Sequence, residues 1–150
     1  MRQFKLPGSF LILFFLVCSC QTATINLKET AKKEIEQSEK DFLKMSTDSG
    51  IKVAFPYYAD TDAVVKGNND SLIKGKIAIA HLYASPIFDH ASVTWSPDFV
   101  DASEDGNFGY TYGKYIWQSK DSSGKVSESK GVFHTVWKKQ KDGSWKYVWD

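Results

Sequence analysis

The hydrophobic residues in the first half of the chain recur at helical spacing. Between residues 28 and 48, apolar and small side chains lie three or four positions apart, and charged side chains fill the other positions. This pattern predicts an amphipathic helix with one buried face, ended by Ser49 and Gly50. Two shorter helices are predicted over residues 51–59, where Pro56 indicates a kink, and over residues 74–83. The predicted buried face of the long helix consists of Ala31, Ile35, Ser38 and Phe42.

From residue 91 onwards the hydrophobic spacing changes from helical to alternating. Four segments place aromatic or aliphatic side chains at every second position, and stretches rich in Gly, Asp, Asn and Ser separate them. Such alternation predicts strands, and the separating stretches predict the turns of an antiparallel meander. A short strand is also predicted over residues 63–65. Helices followed by a run of strands indicate an α+β domain.

The composition suits one globular domain and excludes some functions. The chain has 150 residues, of which 42% are hydrophobic and 25% charged. Its formal net charge is +1, so it lacks the basic surface that binding to nucleic acid requires. Three scattered histidines predict no metal site, and the absence of a glycine-rich phosphate loop predicts no cofactor.

The first twenty residues predict export and a lipid anchor. Arg2 and Lys5 precede an apolar stretch of under about ten residues, which is too short to span a membrane but fits a signal peptide. Residues 17–20, Val-Cys-Ser-Cys, resemble a bacterial lipobox, in which a diacylglycerol is attached to the cysteine and the peptide is cleaved before it. The small Ser19 favours Cys20 as that cysteine. The alternative is an ordinary signal peptide with incidental cysteines.

This interpretation divides the chain into three parts. Residues 1–19 are the predicted signal peptide, residues 20–27 the lipidated Cys20 with a tether, and residues 28–150 the folded domain. We expect the protein to be exported and lipid-anchored in the bacterial cell envelope, at the periplasmic face or the cell surface. Because both cysteines lie in the export segment, the domain contains no disulfide.

Several short segments resemble a known superfamily. The order of elements is similar to the nuclear transport factor 2-like superfamily, which includes ketosteroid isomerase and SnoaL-like cyclases, and within it to domain-of-unknown-function family 4440. This resemblance implies a cone-shaped barrel, in which a curved antiparallel sheet of about four to six strands wraps the long N-terminal helix and two shorter helices. It also implies a pocket at the open end and homodimers formed through the convex sheet face. The segments that carry the resemblance are residues 50–55, 72–79, 93–97, 109–113 and 136–146.

Two side chains are candidates for acid–base chemistry in such a pocket. Asp62 follows the second helix, near the position at which the resemblance implies the catalytic carboxylate of ketosteroid isomerases. Apolar surroundings raise the pKa of a carboxyl group and let it move protons; a solvated turn aspartate is the alternative. His134 lies in mid-strand and becomes a polar anchor if its face points into the cone. A hydrogen-bonded sheet histidine or a dimer contact is the alternative for His134.

Aromatic side chains form the predicted lining of the pocket. Tyr110 and Tyr112 share one face of a strand, and ketosteroid isomerases pair such a tyrosine with a protonated aspartate. No buried acid is evident beside these two tyrosines, so a purely structural lining is the alternative. Trp137 and Trp145 are predicted to pack in the core. The full predicted lining consists of Tyr57, Tyr58, Trp95, Tyr110, Tyr112 and Trp149.

Three functions fit these features, and the volume of the cavity distinguishes among them. The first, which we favour, is an envelope-tethered module that binds a small apolar ligand or a protein partner without turnover. The second is an isomerase or hydrolase that transfers protons from Asp62 or His134 beside Tyr110 or Tyr112. The third is a structural homodimer whose cone is filled by its own aromatic side chains.

Overall fold

The computed structural model describes residues 26–121 and 123–150, with the side chain of residue 68 also left undescribed. The predicted signal peptide, Cys20 and most of the predicted tether lie outside the described residues. None of the helices in the described part is both long and apolar enough to cross a membrane.

Three helices form where helical spacing predicts them. The N-terminus of the first is capped by Asn26, whose side chain accepts a hydrogen bond from the Glu29 N–H at 3.1 Å. Gly50 separates the first two helices with φ at 86°, a conformation that favours glycine. Pro56 lies inside the second helix, which ends two residues later. The helices are α1 (Leu27–Ser49), α2 (Ile51–Tyr58) and α3 (Lys76–Tyr83), with short 3₁₀ turns at Asn68–Asp70 and Pro86–Phe88.

Six strands form a single curved sheet. They are β1 (Ala59–Lys66), β2 (Leu72–Lys74), β3 (Ala91–Ala102), β4 (Phe108–Lys120), β5 (Val126–Lys139) and β6 (Trp145–Trp149). Their order is β2-β1-β6-β5-β4-β3, with β2 and β3 as the two edges. The predicted α+β fold, with a curved sheet and a long N-terminal helix, is confirmed. Two details differ, because β1 and β6 run parallel, which makes the sheet mixed, and because the sheet does not close into a barrel.

The first two strands differ most from the sequence prediction, which gave residues 63–65 for the first and no strand for the second. The chain passes directly from α2 into β1 at Ala59, so β1 is longer than the predicted residues 63–65. β2 has three residues, which is too short to show an alternating pattern in the sequence.

The core lies between α1 and the face of the sheet that we call the inner face. Trp137, Trp145 and Tyr147 are buried on this face, in agreement with the predicted core position of the two tryptophans. On α1 the buried stripe is Ala31, Ile35, Glu39, Phe42 and Ser46. Glu39 therefore occupies the inward position that the sequence interpretation gave to Ser38, whose hydroxyl instead donates to the Glu34 carbonyl at 2.9 Å. The opposite side of the sheet is the outer face.

Candidate functional site

An aromatic-lined cavity of about 680 Å³ opens between the helices and the inner face of the sheet. All three helices and strands from both halves of the sheet contribute side chains to it. Its volume falls in the range of about 300–1,000 Å³ that is typical of small-molecule sites. The aromatic lining includes Phe42, Phe55, Tyr83, Trp95, Trp117 and Trp149.

Glu39 borders this cavity as a buried carboxylate without a basic partner. It is 2% exposed, and none of the ion pairs found within residues 26–121 and 123–150 includes it. Its oxygens accept hydrogen bonds from Trp95 Nε1 at 2.7 Å, Thr111 Oγ1 at 2.5 Å and Trp137 Nε1 at 3.0 Å. Burial raises the pKa of Glu39, while the three hydrogen bonds oppose that rise. Three neutral donors thus hold this group in place of a cation.

Asp150 is the second carboxylate of the cavity. Its backbone N–H donates to the Val64 carbonyl at 3.1 Å, and its own carbonyl accepts from the Lys66 N–H at 3.0 Å. The Thr135 hydroxyl donates to Oδ1 at 2.6 Å. Burial raises the pKa of Asp150 to about 7, the Thr135 hydrogen bond opposes this rise, and the charge of Glu39 adds to it. Asp150 is therefore fixed by β1 and β5 together.

The two carboxylates are held by a pair of threonines. Thr111 on β4 and Thr135 on β5 are directly opposite each other in the register of the strands, and both are buried. Directly opposite residues in antiparallel strands have Cβ atoms about 4.5–5.5 Å apart. Since Thr111 binds Glu39 and Thr135 binds Asp150, the two acids converge on one part of the inner face.

Sequence interpretation missed both acids, and only Glu39 left a signal. Glu39 lies four residues after Ile35 and three before Phe42, on the apolar stripe of α1. Asp150 directly follows the alternating rings of β6, and plain alternation would turn it away from the inward-facing Tyr147. A register shift between β5 and β6 at residues 136–137 changes that pattern, and it is not encoded in hydrophobic spacing.

Of the six predicted lining residues, the structure brings two to the cavity, buries one in the core and leaves three outside. Trp95 and Trp149 line the cavity. Tyr58 lies in the core, where its ring contacts that of Phe42 and where burial raises its pKa to about 12. Tyr57 is half exposed, with the ammonium group of Lys146 3.8 Å from its ring centroid, and lies on the surface rather than in the cavity.

Tyr110 and Tyr112 lie on the outer face, which corrects their predicted place in the pocket. Successive side chains of a strand point to opposite faces, and Thr111 between them points inward to Glu39. The ring of Tyr112 stacks on that of Phe99 with centroids 5.1 Å apart. His134 borders the cavity, but its ring lies 5.8 Å from that of Tyr110 on the outer face.

Asp62 is also placed away from the cavity. It is exposed on β1, and its backbone N–H donates to Asp60 Oδ1 at 3.1 Å. Asp62 and His134 are therefore not brought together around an enclosed volume, as the proposed proton transfer between them and the tyrosines requires. Within the described part of the chain, no three His, Cys, Asp or Glu side chains are grouped closely enough to hold a metal ion.

The architecture is similar to that of several solved structures. A ketosteroid isomerase-like protein from Erwinia carotovora atroseptica matches with a TM-score of 0.62 and 14% identity, over 77% of this chain and 89% of the other. A nuclear transport factor 2-like superfamily protein from Salmonella enterica matches with a TM-score of 0.65 and 16% identity, over 81% and 88%. The association domain of C. elegans CaMKII matches with a TM-score of 0.61 and 15% identity, over 81% and 93%.

These likenesses define the fold as that of the nuclear transport factor 2-like cone, with a six-stranded open sheet around a long helix. No protein-family model matches the chain, and no curated protein sequence matches it.

Proposed function

We propose that the chain is a binding module that holds a small, mostly apolar ligand inside the cone. The observation that carries this proposal is the cavity of about 680 Å³, which remains open although aromatic side chains surround it. A cone that served only as a structural core would be filled by those rings, because protein interiors pack to crystal-like density. The rings offer flat apolar surfaces, and the two carboxylates offer a polar contact at one side.

Calorimetry with an aromatic probe tests this proposal. We expect 2-naphthylmethanol to bind the purified full chain and to quench tryptophan fluorescence, because three tryptophans line the cavity. Trp117→Ala removes one aromatic wall and is expected to weaken binding by about tenfold or more. Phe108→Ala, which removes an exposed ring from the outer face, serves as the matched control and leaves binding unchanged. Failure of this probe and of its amine and carboxylate analogues to bind the unmodified chain overturns the proposal.

A second candidate is an enzyme of the isomerase type that transfers protons in the same cavity. The observation that favours it is the pair of cavity carboxylates with raised pKa values, Glu39 and Asp150, rather than Asp62 and His134. Deuterium uptake by 2-tetralone, an aromatic ketone with acidic α-hydrogens, separates the two candidates. A binding module leaves the uptake at the rate without protein, whereas an enzyme accelerates it and loses the acceleration in Asp150→Asn.

We also infer that two copies pair through the outer face. Exposed apolar rings are grouped there in contact with one another, as the stacking of Phe99 on Tyr112 shows. Grouped exposed rings of this kind are typical of protein–protein interfaces. One of the similar structures is the association domain of C. elegans CaMKII, which supports assembly through this fold.

The export signal, the lipid on Cys20 and the place in the cell envelope stay predictions from the first twenty residues. The relation to domain-of-unknown-function family 4440 likewise stays a prediction from the segments that resemble it.

A further inference from the structure

Among the described residues, the acidic and basic groups at the cavity are two carboxylic acids, one lysine whose charge is already paired, and His134, whose ring lies against Tyr110 on the outer face. Lys66 borders the opening, but its ammonium group is exposed and lies 2.8 Å from Asp70 Oδ1. Glu39 has three neutral donors, and the described hydrogen bond to the side chain of Asp150 comes from the neutral Thr135 hydroxyl. Negative charge inside the cone is therefore not compensated by any described cation.

Two carboxylates bound by threonines of neighbouring strands repel each other when both are charged. The threonines that position them are directly opposite in the sheet, so neither acid can move away without breaking its hydrogen bond. A positive group placed beside both acids removes this repulsion and replaces the water that each acid lost on burial. A negative group at the same place adds to the repulsion.

From this geometry we propose that the cavity selects organic cations, an ammonium group on an apolar body, and rejects anions such as carboxylates. This inference rests on the proposed binding function and specifies its ligand class. The ammonium lies beside Asp150 and Glu39, while the apolar body packs on the rings. Trp95 and Trp117 also line the cavity, and aromatic faces attract cations.

Three probes that share one body test this selectivity. They are 2-naphthylmethylamine, 2-naphthylmethanol and 2-naphthoate, titrated calorimetrically into the full chain at mildly alkaline pH. We expect the amine to bind about tenfold or more tightly than the alcohol, and the carboxylate to bind most weakly. Asp150→Asn and Glu39→Gln keep the shape of each side chain and are each expected to reduce the preference for the amine.

The matched control is Asp41→Asn. Asp41 is exposed on the same helix as Glu39 and accepts a hydrogen bond from Gln37 at 2.9 Å, which asparagine can also accept. This variant loses the same charge outside the cavity and retains the preference for the amine. Equal or tighter binding of the alcohol or the carboxylate to the unmodified chain overturns the selectivity and leaves the binding function standing. Failure of all three probes overturns both, and the unmodified chain alone decides these outcomes if a variant does not fold.

Discussion

Glu39 shows how a charged side chain is accommodated in the core of this cone. An unpaired carboxylate in an apolar interior costs several kcal/mol unless hydrogen bonds replace its water. Here two indole N–H groups and one hydroxyl supply those bonds, and Trp137 and Thr111 also contact each other at 3.3 Å. Because these donors come from three different strands, the single carboxylate joins α1 to most of the inner face.

The stability of the fold should depend on the protonation of Asp150. Its folded pKa, about 7, lies above the ordinary value of 3.8, so its protonated form favours the fold. That contribution is complete below about pH 4 and is lost as the pH rises through about 7. Relative to the unmodified chain, Asp150→Asn should therefore gain stability as the pH increases over this window, as measured by urea unfolding.

The groups around Asp150 define what that experiment measures. They are Glu39 from α1, Tyr83 from α3, Lys66 from β1, His134 from β5 and Tyr147 from β6. Tyr83 and Tyr147 have pKa values raised by burial and stay neutral throughout the window. A difference between the two proteins that does not change with pH contradicts the prediction, and Asp41→Asn controls for the loss of one charge.

At the scale of single elements, spacing predicted the helices and the long strands but not which strand face is buried. Residues of β4 alternate regularly between its two faces, and the large rings of Tyr110 and Tyr112 suggested that their face is the inner one. The inner face instead carries Gly109, Thr111 and Gly113, because α1 and the bent neighbouring strand approach there closely. A Cβ on Gly109 would lie 2.3 Å from Ile35 Cδ1.

The candidate site was likewise predicted only in part: two of its aromatic residues were identified, and both of its acids were missed. Trp95 and Trp149 were identified because large rings on a curved sheet are expected to reach the cavity. Glu39 and Asp150 were missed because charged side chains are ordinarily exposed, and their burial depends on donors from distant strands: two indoles and a threonine for Glu39, and a threonine for Asp150. The sequence around each acid does not reveal these hydrogen bonds, because their donors lie far away along the chain.

The irregularity in the pairing of β3 with β4 depends on Gly113. The register shifts between Pro97 and Phe99, and a Cβ on Gly113 would lie 2.1 Å from the Ser96 carbonyl oxygen. Gly113→Ala is expected to lower the free energy of unfolding by about 1–3 kcal/mol, because backbone atoms must shift. Gly131→Ala is the matched control, since the atoms nearest its Cβ belong to the far end of the Tyr115 side chain rather than to the backbone. Equal losses in the two variants, measured by chemical unfolding, contradict this explanation.

At the scale of the whole molecule, pairing through the outer face predicts a dimer. Light scattering on the purified chain should give twice the mass of one copy. Tyr112→Glu places a charge among the stacked rings and is expected to yield monomers, because burying an unpaired charge is costly. Tyr57→Glu makes the same change at an exposed tyrosine outside that face and should leave the dimer intact. A monomeric unmodified chain, or a dimeric Tyr112→Glu, contradicts the outer-face interface.

Anchoring through Cys20 predicts where the protein is found in cells. Each buried acyl CH₂ group contributes about 0.8 kcal/mol, so two or more chains hold a domain firmly at a membrane. Cys20→Ser should move the protein from the membrane to the soluble fraction, and Cys18→Ser should not. Mass spectrometry of the mature N-terminus checks the lipid directly, and an unlipidated terminus at another residue contradicts the lipobox.

The position of β6 has a consequence for the order of events during folding. This strand lies between β1 and β5 and so joins a first unit, β1 with β2, to the meander of β3, β4 and β5. Until residues 145–150 are available, the two units cannot pair with each other, and β1 lacks its parallel partner β6. In a chain that is exported as predicted, this arrangement delays completion of the domain until its final strand has been threaded through the membrane. The strand order would then keep the sheet incomplete while the polypeptide crosses the membrane.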